Sequence, residues 1–510
     1  MTMPPPNLTS IPLEVLLQIT SYLKTPDYGA MRLTCKHIEI SVFRTFAQKY
    51  FTKIQFMRTE FSFQALVDIS TSRLSSYLKH VVVGTDVLGT GIPDRLIGPS
   101  GDRTVNKWDR YNHLRADQLA FFNTSQDQQM LVEAFRNLDL DVVEIRAPGR
   151  AEYGLYDAVC YGTSQIFRET SINMRWEAPY INRSSREANA SCLQTVLFAL
   201  GKSGLKPKKF KLAMTVTSLN DSAFNIPGFM GKVVSPMLHD LETLDLAVDP
   251  NSTEGMRLIA PKGRPLRQIN TYYLRKFILQ SSQVTRLCLA KLPESDGFFE
   301  WLASPSPISN EEYDGPTGLE PPDSPTLPKL SELELSNCTM PWQHLVDIVS
   351  KFSTTLRRLS IHSVFLDIPD KDSSALAVAK LAEAGRYLKE VHLVDIWVRF
   401  ANGHRDFMMR FQNGDQRPVS GSFSCTGPDM KKVLGGLNDV IRDNYVHPRS
   451  EDEDEDELDD SDDDDDDDDH DGFGSYFDEY GEYVEEYDDL LDEIDQDLNE
   501  ELMIAALYHI

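Results

Sequence analysis

The 510-residue sequence predicts an α/β fold in three parts: a set of three N-terminal helices, an irregular solenoid of strand–helix units, and a disordered acidic tail. Three observations predict it. The opening stretch IPLEVLLQITSYL (Ile11–Leu23) carries an apolar arc too wide for so short a unit. The spacing Leu-x-x-Leu-x-Leu then recurs between residues 76 and 445, with amphipathic helical segments between its copies. Finally, the formal net charge of −28 is confined to one end: residues 451–501 hold 31 acidic side chains, and no Lys or Arg follows Arg449. Residues 1–450 carry 48 acidic and 51 basic side chains, so the body is close to neutral.

The N-terminal part, residues 1–55, reads as three helices. Pro12 suits a first helical turn, with Thr9 or Ser10 placed to cap it. Leu13, Val15, Leu16, Leu17, Ile19 and Leu23 cover roughly 200° of the first helix, against about 100° for an ordinary surface helix. Thr25-Pro26-Asp27 ends that helix and starts a second, roughly Tyr28–Ile38, and a third covers roughly Ile40–Phe51. About 40 residues of helix sit near the limit of independent stability. The surplus apolar arc therefore needs a second surface to cover it, on this chain or on another protein.

IPLEVLLQITSYL, then Asp27, then RLTCKHI resembles an F-box, whose usual pattern opens Leu-Pro-x-Glu and continues with spaced Leu and Ile. The continuation TEFSFQALVDISTSRLSSYLKHVVV (Thr59–Val83) resembles F-box proteins of filamentous fungi. The resemblance implies docking on the Skp-type adaptor, and through it on the cullin, of an SCF-type (cullin–RING) ubiquitin ligase. Carried over by position, Ile11, Pro12, Glu14, Leu16, Ile19 and Leu23 match the adaptor-facing pattern. Ile11 replaces the more usual Leu, and Ile38 stands near a position where the family often has Trp.

Residues 56–75 read as a helical linker and 76–445 as the body. In the body, Leu330-x-x-Leu333-x-Leu335 runs on to Cys338 and Met340, Leu356-x-x-Leu359-x-Ile361 to Val364 and Leu366, and Leu388-x-x-Val391-x-Leu393 to Ile396 and Val398. Weaker copies begin at Leu78, Leu241 and Val284. Each describes a strand with alternate residues inward, followed by a return through helix. PWQHLVDIVSKF (Pro341–Phe352) and SSALAVAKLAEAGRYL (Ser373–Leu388) supply such helices. The repeats step by 26 and 32 residues at best and by more than 40 elsewhere, so the expected fold is an irregular leucine-rich-repeat-like α/β solenoid. An α/β domain whose buried strands merely look alike is the alternative. A solenoid of this kind offers a strand face for a target protein.

Ala303–Pro328 holds seven prolines and little apolar content, which marks a disordered insert. Within it Ser304, Ser306 and Ser324 each precede Pro, which makes them candidate phosphorylation sites, with a plain spacer the alternative. KSGLKPKKFK (Lys202–Lys211) is a basic cluster that suits an acidic partner, a weak nuclear signal, the chain's own tail, or plain solvated surface.

Enzymatic chemistry finds no support. GHRDF (Gly403–Phe407) contains His-Arg-Asp, but Phe411 stands where a kinase loop needs Asn, and no glycine-rich phosphate loop accompanies it. LGKSG (Leu200–Gly204) lacks the upstream glycine of a P-loop. The six cysteines show no CxxC pair, which argues against zinc and against a disulfide framework. No catalytic residue, cofactor or metal is expected, and nucleic acid is not an expected partner. The opening residues do not read as a signal peptide and no apolar run is long enough for a membrane span, so the expected location is the cytoplasm, the nucleus or both.

Residues 446–510 form the tail. Seventeen of the nineteen residues Glu451–Asp469 are acidic, a composition that stays extended. Phe473, Tyr476, Phe477, Tyr480, Tyr483 and Tyr487 are then threaded through acid, and Leu491, Ile494, Leu498 and Leu502 fall at helical spacing. Such a segment suits basic proteins, the chain's own Lys202–Lys211, or a solubilising role. The expected function is target recognition within a ubiquitin ligase, and the alternative is an acidic-tailed scaffold or chaperone for basic proteins.

Overall fold

A computed structural model describes residues 8–89, 101–147, 160–172, 186–214, 219–248, 271–292, 297–305, 322–369, 371–400, 407–408, 411–412, 418–419 and 422–427. The acidic tail, its C-terminal helical segment, most of the 303–328 insert and residues 403–406 lie outside the described residues.

Three helices open the chain: α1 (Leu13–Ser21), α2 (Thr25–Leu33) and α3 (Lys36–Tyr50). Strand β1 (Lys53–Met57) follows, then α4 (Glu60–Thr71), whose first turn is capped by the Thr59 hydroxyl accepting from the Ser62 N–H at 3.3 Å. Next come β2 (His80–Gly84), α5 (Gly101–Asn123), α6 (Gln126–Asn137), β3 (Val142–Arg146), β4 (Cys160–Tyr161), α7 (Thr163–Thr170) and α8 (Arg186–Ser203). The chain continues through β5 (Lys209–Ala213), α9 (Gly228–His239), β6 (Thr243–Ala247), α10 (Tyr272–Gln280), β7 (Arg286–Ala290) and α11 (Phe298–Ala303). After these lie β8 (Glu332–Ser336), β9 (Thr339–Pro341), α12 (Trp342–Lys351), β10 (Arg358–His362), β11 (Phe365–Ile368), α13 (Lys371–Ala384), β12 (Glu390–Val394) and β13 (Trp397–Phe400). Short strands β14 (Phe407–Met408), β15 (Phe411–Gln412) and β16 (Pro418–Val419) precede β17 (Ser422–Thr426).

One long sheet runs β17-β12-β10-β8-β7-β6-β5-β3-β2-β1-β4. All its pairings are parallel except that of β17, which closes one edge antiparallel to β12. Register is shared from end to end: Ile54, Val81, Val143, Phe210, Leu244, Leu287, Leu333, Leu359 and Val391 form one buried row across nine strands. Only the outermost of these, Ile54, is partly exposed. Helices pack side by side as a second layer, α4 on α6, α6 on α8, α8 on α9, α9 on α10, α11 on α12 and α12 on α13. A smaller sheet, β14-β13-β11-β9, lies along the turns after β8, β10 and β12.

Both margins of the long sheet are tied by backbone hydrogen bonds. The residue after each strand donates to the last carbonyl of the next: Thr85 to Arg146, Ala147 to Ala213, Met214 to Ala247, Val248 to Ala290, Lys291 to Ser336, Asn337 to His362 and Ser363 to Val394, at 2.8–3.1 Å. From β7 onward this residue takes a left-handed backbone, with φ of 62°, 49°, 52° and 51° at Lys291, Asn337, Ser363 and Asp395. At the opposite margin the Lys79, Glu242, Thr285, Ser331 and Arg357 carbonyls each accept from the strand beside them.

The sheet starts earlier in the chain than the strand spacing alone suggests. Lys53–Met57 is a strand paired with His80–Gly84, so the segment expected as a helical linker begins inside the sheet and only Glu60–Thr71 of it is helix. Strands β1, β3 and β5 were not among the expected repeats. The helix boundaries also move: α2 ends at Leu33 and α3 begins at Lys36. The main buried core runs from Leu16 to Ile396 and includes the N-terminal helices. All six cysteines are free. Among the described residues no helix is long and apolar enough to cross a membrane, and no group of His, Cys, Asp and Glu is arranged to hold a metal.

Candidate functional site

The N-terminal helices divide their apolar side chains between an inner and an outer face. On α1, Leu16 and Thr20 point inward, with Leu17 and Leu23 half-buried beside them. Val15, Ile19 and Tyr22 fall at i, i+4 and i+7, so they share one stripe; Val15 is 45% and Tyr22 80% exposed. Glu14, Gln18 and Ser21 make a polar stripe next to it, all exposed. Leu8 and Leu13 (both 47%), Leu33 (49%) and Ile40 (72%) add to the outward apolar surface. On α3, Ile40 is surrounded by exposed Lys36, His37 and Arg44. Six large, substantially exposed apolar side chains within 33 residues exceed what scattered surface hydrophobes explain, and they mark an interaction surface.

The inner face is fixed by an ion network. Arg32 is 2% exposed and donates from Nη2 to Glu39 Oε1 at 3.4 Å, while its guanidinium lies 3.6 Å from the centroid of Phe46. Glu39 also pairs with Arg73 of the segment after α4, and the Arg73 guanidinium covers Phe43 at 3.8 Å. Burial pushes the Glu39 carboxyl up, but Arg73 and Arg32 outweigh it and hold the group below the usual carboxylate range. Tyr28 packs edge-on against Phe46 and donates from its hydroxyl to the Val42 carbonyl at 3.3 Å. Phe43 meets Tyr77 edge-on at 5.8 Å. The three helices are thereby joined to the first strand–helix unit of the body.

Residues 8–42 match the F-box domain. The match covers α1, α2 and the first half of α3, the same helices that present the outward apolar surface. No curated protein matches the chain. F-box domains typically bind Skp-type adaptors of cullin complexes, and the domain supports a general role in target recognition by SCF-type ubiquitin ligases.

Within the F-box the expected adaptor-facing residues separate. Pro12 and Glu14 are exposed, and Pro12 forms the N-cap of α1 with its carbonyl accepting from the Leu16 N–H at 3.0 Å. Ile11, Ile19 and Leu23 are half-buried, and Ile11 and Leu23 pack against the chain's own core. Leu16 is 3% exposed and belongs to that core, so its side chain is closed to a partner in this conformation. Leu13, Val15, Tyr22, Leu33 and Ile40 are outward and were not among the expected set. Leu13 and Val15 were part of the wide apolar arc, whereas Tyr22, Leu33 and Ile40 carried no signal in the sequence.

The open face of the long sheet is the second candidate surface. Along it, first and third positions of successive strands carry charge that is matched strand to strand. Lys209 lies 3.0 Å and Lys211 3.8 Å from Asp245. Arg286 reaches Glu334 at 2.9 Å, and Arg358 reaches Glu332 at 3.1 Å and Glu390 at 2.5 Å. His392 is 2.7 Å from Glu390. At the F-box end Met57, Leu88, Tyr111, Cys160, Ile166 and Ile172 build a small separate core around β1 and β4, with α5 and α7. Lys206 pairs with Asp240 and Lys208 with Asp141, so the Lys202–Lys211 cluster is largely neutralised by the chain itself.

Proposed function

We propose that this chain is the target-recognition subunit of an SCF-type ubiquitin ligase. The supporting observation is the outward apolar surface of Leu13, Val15, Tyr22, Leu33 and Ile40 on the helices that match the F-box. In this reading those residues, with Pro12 and Glu14, dock the Skp-type adaptor, and Ile11, Leu16, Ile19 and Leu23 shape the surface from beneath. The chain is an F-box protein of the filamentous-fungal type, and its body is an irregular leucine-rich-repeat-like solenoid. Shared register and left-handed residues at matched positions after β7, β8, β10 and β12 favour it. Its strand face holds a target protein, and the chain supplies proximity rather than bond chemistry. It acts in the cytoplasm, the nucleus or both.

The test is adaptor capture by purified full-length protein. Tyr22→Asp with Ile40→Asp is expected to reduce affinity at least about tenfold while leaving stability within about 0.5 kcal/mol, because both side chains are exposed. Removal of residues 451–510 is expected to leave capture unchanged. Failure of the wild-type chain to bind adaptor would sink the ligase reading. A scaffold for basic proteins predicts instead salt-sensitive binding that disappears with residues 451–510.

A further inference from the structure

Lys351, at the end of α12, is a half-buried cation with no carboxylate partner among the described residues. Its Nζ donates to the Leu302 carbonyl at 2.9 Å and to the Ser324 hydroxyl at 2.5 Å. Burial pushes the amine down to about 8. A cation held on neutral oxygens is short of a counter-charge, and the residue it faces is followed by Pro325.

Ser324 also fastens residues 322–324 to the body. Its hydroxyl lies 3.0 Å from the Trp301 carbonyl and 2.6 Å from the Ser304 carbonyl. The fully buried Trp301 in turn donates from Nε1 to the Pro322 and Asp323 carbonyls at 3.0 and 2.9 Å. Residues 322–327 have no helix or strand hydrogen bonding to break, and Ser324 is partly exposed.

We propose that Ser324 is a phosphorylation site for a proline-directed protein kinase and that Lys351 is the built-in partner of the phosphate. The kinase transfers the γ-phosphoryl group of MgATP. A bond forms between Ser324 Oγ and phosphorus, the bond to ADP breaks, ADP leaves, and the hydroxyl proton passes to the kinase's base. The ester oxygen then has no proton to donate to the Trp301 and Ser304 carbonyls, and these carbonyls repel the new dianion. Lys351 gains the counter-charge it lacks. Phosphorylation thus exchanges a hydroxyl anchor on α11 for an ion pair on α12, and it does so independently of how the chain is used in a ligase.

The experiment uses folded full-length protein, a purified proline-directed kinase and MgATP, with sites mapped by mass spectrometry. Stoichiometric label at Ser324 is expected. The phosphate is then titrated by phosphorus NMR, its resonance assigned by its loss in Ser324→Ala. Its second ionisation should fall about half a unit or more below that of a phosphopeptide spanning 318–330, where it lies near 6. Lys351→Met should abolish that difference. Label on the peptide but not on the folded chain would mean that Ser324 is a fixed anchor only. A wild-type titration equal to the peptide's would remove Lys351 from the proposal, and this comparison needs no variant to fold.

Discussion

Asp86 and Glu144 are both buried carboxylates near the F-box end of the sheet, and they respond to pH in opposite senses. Burial pushes Asp86 from 3.8 up to about 6, and only its own backbone N–H opposes the rise. Folding therefore favours its protonated form, so this contribution is full below about pH 4 and is lost as pH rises through about 6. Asp86→Asn is expected to raise stability at pH 7.5 by on the order of 1–3 kcal/mol and to give no gain at pH 4, as read by urea titration. Glu144 is the reverse case. Burial would raise its carboxyl, but His80 at 3.0 Å, Arg146 and Lys211 hold it down at about 2. Its contribution is present above about 4.5 and is lost as pH falls toward 2. Glu144→Gln should cost about 3 kcal/mol at neutral pH, with the deficit shrinking on acidification. Leu16 belongs to the same scale: Leu16→Ala is expected to cost about 2–5 kcal/mol because it empties core volume, whereas Tyr22→Ser should be near neutral for folding.

At the scale of the strand–turn unit, the left-handed residues that leave β7, β8, β10 and β12 are the specific feature. Ser363 has φ 52° and donates its N–H to Val394. Ser363→Gly should stabilise by about 0.5–1 kcal/mol, and Ser363→Val should destabilise by about 1–2 kcal/mol, in thermal or urea unfolding. The sequence made these later units legible because Leu330, Leu356 and Leu388 each open the same spacing at steps of 26 and 32 residues. Strands β1, β3 and β5 were hidden for physical reasons. Ile54 and Phe56 follow directly on the apolar inner face of α3, so their alternation is masked by Phe46, Ala47 and Phe51. In β5 the alternation Lys209-Phe210-Lys211-Leu212 was legible as charge, yet it is a strand with lysines on the open face and Phe210 and Leu212 buried. In α1 the spacing located a stripe but could not choose its inward side. That choice is made by α3, which buries Leu16 and leaves Val15 and Tyr22 outside.

On the scale of the whole molecule, the F-box helices share one core with the sheet. Residues 1–52 alone should therefore show no cooperative melt by circular dichroism, because Leu16, Phe46 and Phe51 lose the body surface that covers them. The full chain should lose F-box and body signals together rather than in separate steps. The Glu39–Arg73 pair and the Phe43–Tyr77 contact form the joint between the two, just before β2, and eight strand spacings, about 38 Å, separate β2 from β17 at the far edge. That makes the sheet a lever arm. A tilt of about 5° at the joint would carry the far strand about 3 Å, more than half a strand spacing, while moving β2 hardly at all. If the proposed ligase role holds, a target bound near β12 would feel small changes at Arg73 that one near β3 would not, and the lysines offered for modification would depend on how far along the sheet the target sits.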